Sequence, residues 1–169
     1  MNTKPIQIPG NDTQATEWAN VTGRFFQAFG TIEFIVMEFI VKMASGFKFK
    51  SIKKKYLSQK LTWIIDSLGE HTDAPQEKIE EINDTLEEIR KLSFFRNVLA
   101  HGAIGYSEPG KDGREEPSIL GLLNYRPDDT DQDAEIISLD ELKCRLGETE
   151  DLARKLLDLL NGIRFSPIP

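Results

Sequence analysis

The sequence predicts a mainly α fold, a four-helix up-and-down bundle with a small β-hairpin inserted between the third and fourth helices. Three observations carry this prediction. Apolar residues recur at three- and four-residue steps through four long segments, the spacing of one helix face. Glycines and cap-forming residues stand where those segments would start and stop. Between 103 and 138 the helical spacing gives way to a turn-rich loop and two short apolar runs. A chain of 169 residues suits one domain, 1–169, with 103–138 as loop and β insertion.

The elements follow in order. The opening MNTKPIQIPGND is polar and unlike a signal peptide. The first helix is expected from Thr13 to Ala44, and its second half, TIEFIVMEFIVKM, is apolar on nearly every side. Gln27, Glu33 and Glu38 interrupt the apolar stretch Phe25–Val41, whereas a membrane span wants about 20 residues with few charges, so this reads as a buried helix. Gly46 and the lysines after it are expected to form a loop. The second helix, YLSQKLTWIIDSLG, carries Leu57, Leu61, Ile64, Ile65 and Leu68 on one face and stops at Gly69. His71 follows in a loop, as a solvated surface histidine. The third helix begins after Asp73-Ala74-Pro75-Gln76, where an Asp cap with Gln three residues on suits a capping box, and ends at Gly102. Tyr106–Pro117 is turn-rich, and Ser118–Tyr125 and Ala134–Ile137 are the strands of the hairpin. Ser138-Leu139-Asp140-Glu141 is a second capping box. It opens a last helix through Leu142, Leu146, Leu152, Leu156 and Leu160 that ends at Gly162.

Composition narrows the class. Hydrophobic residues at 39% and charged residues at 29% suit a globular protein rather than a disordered chain. The single cysteine, Cys144, excludes an internal disulfide framework and fits a reducing cytoplasm. A net charge of −7 argues against nucleic acid as a partner, but its distribution argues the other way. Phe39 to Ile65 holds no Asp or Glu and seven lysines, while the acids collect in 70–88 and 108–133. Lys48, Lys50, Lys53, Lys54 and Lys55, with Phe47, Phe49 and Tyr56 interleaved, would suit an RNA track. A solvated loop is the commoner meaning of such a run. Asp129, Asp131 and Asp133 resemble the start of a calcium loop, but Ala134 replaces the required Gly and Asp140 the terminal Glu. No zinc cluster, Walker loop or dinucleotide fingerprint is present, so neither a metal nor a cofactor is expected.

The third helix is the most informative element. In its first half Ile79, Ile82, Leu86 and Ile89 share one arc, and charged residues occupy the other. From Phe94 onward Phe94, Phe95, Val98 and Leu99 fall on the arc that had been charged. A helix apolar all round is buried on both sides, by the β insertion or by a second copy of the chain. These four residues are therefore the expected interface of a homodimer. Arg96, Asn97 and His101 sit among them. Asn97 and His101 share a face, and the long Arg96 side chain can reach round. A buried cation is costly unless paired. Glu33, on the first helix among Phe26, Phe29, Val36, Met37 and Ile40, is a supporting carboxylate for which Arg96 or His101 would serve as partner. A bridge to some other Lys or Arg is the plain alternative.

Arg96-Asn97-Val98-Leu99-Ala100-His101, closing a third helix, resembles the Arg-polar-x3-His motif of the HEPN superfamily (higher eukaryotes and prokaryotes nucleotide-binding). The resemblance spans about Phe25 to Gly102, plus the last helix by position. It implies a metal-independent endoribonuclease working as a homodimer, with Arg96, Asn97 and His101 catalytic and RNA as substrate. It also implies a place in toxin–antitoxin or phage-defence systems, with an antitoxin as partner. Helix order and the same string are similar, more distantly, to the mannitol operon repressor family. That likeness keeps open a non-catalytic helical regulator or partner-binding protein. A third reading is a HEPN subunit paired with a nucleotidyltransferase. The plain alternative for the motif is a helix end where His101 favours the C-terminal dipole and Arg96 is salt-bridged.

Overall fold

Along α1 (Asp12–Met43), Trp18, Val21, Phe25, Phe29, Ile32, Val36, Phe39 and Met43 are buried. Along α5 (Leu139–Leu160) so are Leu142, Leu146, Thr149, Ala153, Leu156 and Leu160. Both series advance by three and four residues, which keeps one stripe turned toward a helix lying alongside. The two helices run in the same direction. Glu17 pairs with Lys143 at 2.6 Å and, seven residues further along each helix, Arg24 pairs with Glu150 at 2.7 Å. The hydrogen bond to Glu17 raises the Lys143 ammonium above its usual lysine value, against an opposing effect of desolvation. The computed structural model describes residues 12–106, 117–123 and 133–166, with side chains over 16–102 and 137–166. The polar N-terminal segment, most of the turn-rich loop, the end of the Ser118–Tyr125 strand, and Asp129 and Asp131 lie outside the described residues.

The protein is mainly helical. Between α1 and α5 come α2 (Gly46–Ile52), α3 (Leu57–Leu68) and α4 (Gln76–His101), then strands β1 (Ala103–Tyr106), β2 (Pro117–Leu123) and β3 (Asp133–Ser138). Two core clusters hold the helices. One joins the second half of α1 to α3, the first half of α4 and the end of α5. The other joins the first half of α1 to the end of α4, Ile137 and the start of α5. So α4 opposes α1. It also opposes α3, since Arg90 donates to Thr62 at 3.0 Å while Tyr56 and Arg96 line one cavity at the other end.

Several expectations need correction. The lysine stretch is not a plain loop. Gly46, at φ 53°, turns the chain out of α1, and α2 forms because Phe49 and Ile52, three apart, meet the core. That short helix carries the chain back, so α3 runs with α1 and the alternating up-and-down order does not hold. The insertion is a three-stranded antiparallel meander, β1-β2-β3, in place of a two-stranded hairpin, with Ala103 opposite Leu120 and Ser118 opposite Ser138. Ser138 does cap α5, accepting from the Glu141 N–H at 3.1 Å. Asp73 does not cap α4, which starts after Pro75. Its carboxylate accepts from the Arg164 N–H at 3.0 Å and pins the C-terminal segment instead. His71 is half-buried rather than solvated, and its carbonyl accepts from the Ser166 N–H.

Candidate functional site: the end of α4

The buried face of α4 turns as the helix runs. Ile79, Ile82, Leu86 and Ile89 enter the first cluster, and Leu92, Phe95, Val98 and Leu99 enter the second. At about 100° per residue the second set lies roughly 140° round from the first. The helix is therefore not buried on all sides at its end. Its apolar stripe has changed neighbour, from α3 and the far half of α1 to Phe25, Phe29, Leu142 and Leu146. Phe95 packs edge-to-face on Phe25, ring centroids 5.5 Å apart, with the Arg145 guanidinium 5.6 Å from its own centroid.

This corrects the expected dimer interface. Phe95, Val98 and Leu99 belong to the core of their own chain. Only Phe94, 50% exposed, faces outward. Asn97 and His101 are exposed too, and at helical spacing Phe94, Asn97 and His101 lie within about 60° of one another. None of Arg96, Asn97 and His101 is deeply buried. His101 occupies the last turn, and the Gly102 N–H donates to the Val98 carbonyl at 2.7 Å. Gly102 itself is extended (φ −73°, ψ 150°), a conformation open to any residue, so α4 stops because the chain enters β1.

Arg96 is half-buried and leans the other way. It lines a cavity of 760 Å³ between α1, the start of α3 and α4, together with Glu33, Lys55, Lys60, Ser93 and Asn97. Its Nη1 donates to Asn97 Oδ1 at 3.3 Å. Glu33 shares the cavity but forms no ion pair with Arg96, nor with any other described residue, and the expected Glu33 partnership with Arg96 or His101 is not made. Among the described lining residues three cations, Lys55, Lys60 and Arg96, stand against the single carboxylate of Glu33. His101 does not line this cavity. Five residues from Arg96, it is displaced about 7.5 Å along the helix and roughly 140° around it, so one chain does not bring the two together.

Lys48, Lys50, Lys53, Lys54 and Lys55 are all exposed, and of these Lys55 reaches the cavity. The interleaved aromatics divide. Phe49 packs on the core, with the Lys53 ammonium 5.6 Å from its ring centroid, while Phe47 and Tyr56 face solvent. Sequence reasoning did not single out Lys60, Ser93 or Phe34 as site residues. Lys60 at least was signalled by the acid-free run to which it belongs. Among the described residues no group of three His, Cys, Asp or Glu could hold a metal ion, and no helix is long and apolar enough to cross a membrane.

Set beside known proteins, the chain matches no family model, no curated protein and no solved structure. The arrangement offers an exposed imidazole, an adjacent amide and a guanidinium held over a cationic cavity.

Proposed function

We propose that the chain is a HEPN-type endoribonuclease that acts as a homodimer on RNA, as in a toxin or phage-defence component. The observation that supports this best is the outward presentation of Asn97 and His101 on one face of α4 beside the basic cavity of Arg96. Arg96 and His101 diverge within a chain. A two-fold axis near Phe94 would set two copies of the motif along one cleft, and the exposed Phe94 ring is the apolar surface such a contact would cover.

RNA carries its own nucleophile. One His101, neutral, takes the proton of the 2′-hydroxyl as its oxygen attacks the adjacent phosphorus. The bond from phosphorus to the 5′-oxygen breaks, and a protonated His101 of the partner subunit gives that oxygen its proton. The products are a 2′,3′-cyclic phosphate and a free 5′-hydroxyl. Arg96 binds the phosphate and offsets the charge that grows on it, and Asn97, already tied to Arg96, holds that geometry. These side chains supply both proton transfer and charge stabilisation, so no metal is called for.

A ribonuclease assay on the purified protein tests this. His101→Ala, folded by circular dichroism, should lose about 10²–10⁴ in rate. Activity should survive EDTA, and RNA with 2′-deoxyribose at the cut should be inert. A folded His101→Ala protein that cleaves like the parent, or loss of all activity in EDTA, ends this reading. The divergence of Arg96 and His101 favours the second reading, a module that binds without cutting, alone or with a nucleotidyltransferase. A parent protein that binds RNA but never cuts it selects that one.

A further inference from the structure

We propose that the cavity between α1, the start of α3 and α4 holds one unpaired nucleotide of single-stranded RNA, its phosphate on Arg96, Lys55 and Lys60 and its base against the rings of Tyr56 and Phe34. The inference rests on RNA being the ligand and adds the strandedness and the residues that select it.

Two independent features meet in this cavity. The first is charge. Three cations face one carboxylate, and α3 begins here, at Leu57, with the helix dipole adding partial positive charge at its N-terminus. The second is aromatic surface. Tyr56 is 81% and Phe34 65% exposed, and both line the same cavity, Phe34 from α1 and Tyr56 from the residue before α3. The molecule has eleven residues from Gly46 to Tyr56 that bring the chain back along α1, and they deliver Tyr56, Lys55 and the α3 N-terminus opposite Phe34. Cations for the backbone and open rings for the bases are the pair of features that binds single-stranded nucleic acid. Duplex RNA keeps its bases stacked and cannot offer them to a ring. A volume of 760 Å³ lies within the range of small-ligand sites. Glu33, half-buried and without an ion pair, is the acceptor in this cationic setting, and the ribose 2′-hydroxyl is the donor that separates RNA from DNA. Arg96 and Asn97 both line this cavity, and since the proposed cleavage puts its phosphate on Arg96, the bound nucleotide adjoins the cut under that reading.

The test measures binding of a short unstructured RNA, free or annealed to its complement, to the full chain carrying His101→Ala so that nothing is cleaved. The single strand should bind at least about 10-fold tighter than the duplex, and Phe34→Ala with Tyr56→Ala should remove at least about 10-fold of that affinity. Both rings are exposed, so the double variant should keep the parent melting temperature. Lys60→Gln should flatten log Kd against log salt by about 0.7. Equal or tighter duplex binding, or a folded double variant that binds like the parent, overturns the proposal. The two readings fail separately. A wild-type protein that cuts nothing yet shows this binding pattern loses the ribonuclease reading alone. One that cuts RNA with an unchanged KM in the double variant loses the nucleotide subsite alone.

Discussion

Phe94 and Phe95 are neighbours in sequence with opposite surroundings. Phe95, 5% exposed, sits between Phe25 and Arg145, and Phe94 stands at the edge of the groove between α4 and α5. Deleting a buried phenyl ring removes its transfer free energy and leaves a cavity. Phe95→Ala should therefore cost about 3–5 kcal/mol, while Phe94→Ala should stay within about 0.5–1 kcal/mol. Urea unfolding of both variants measures the contrast, and equal losses would mean that Phe94 is as buried as its neighbour. Nothing in the string Phe94-Phe95 separates the two. The separation comes from which side of α4 meets α1 and α5. The same packing leaves His101 and Asn97 exposed, which the sequence places among apolar residues and so suggests are enclosed.

At the scale of elements, α2 and the lysines after it matter most. Phe49 and Ile52 anchor this segment on the core, Lys53, Lys54 and Lys55 are exposed, and Lys55 lines the cavity. Exposed charges contribute little to stability but act on a polyanion through counterion release. Replacing all three with Gln should leave the melting temperature unchanged. It should flatten the dependence of log K on log salt for single-stranded RNA by about 2, from about 0.7 per phosphate contact. Binding that is unchanged across salt concentrations would retire the segment as an RNA track. The lysines and their spacing were legible in the sequence. The helix was not, because seven residues carry too little periodicity to distinguish a short helix from a loop.

For the whole molecule, the ribonuclease reading turns on assembly. One chain keeps Arg96 and His101 apart, so the ribonuclease reading requires a second copy. The apolar surface left at the end of α4 is Phe94, with Phe95, Val98 and Leu99 enclosed. Phe94→Glu should give a folded monomer by light scattering at micromolar concentration and abolish cleavage, since a charge on each copy would face its twin across a two-fold axis. A parent that is already monomeric and active would overturn the shared-cleft mechanism, and a Phe94→Glu protein that remains dimeric would move the interface elsewhere.

Local chemistry alone determined the four long helices, the cap at Ser138, the cationic stretch and the Arg96-Asn97…His101 string, because each depends on residues within a turn or two of one another. Two things were left to the tertiary structure. Helix direction turned on the return path through α2, which places α3 alongside α1 rather than against it. Site assembly turned on which helix each face of α4 meets. Residues 96 and 101 read as one motif along the chain, but a helix rotates by about 100° per residue, and only packing decides which of those directions ends in core, cavity or solvent.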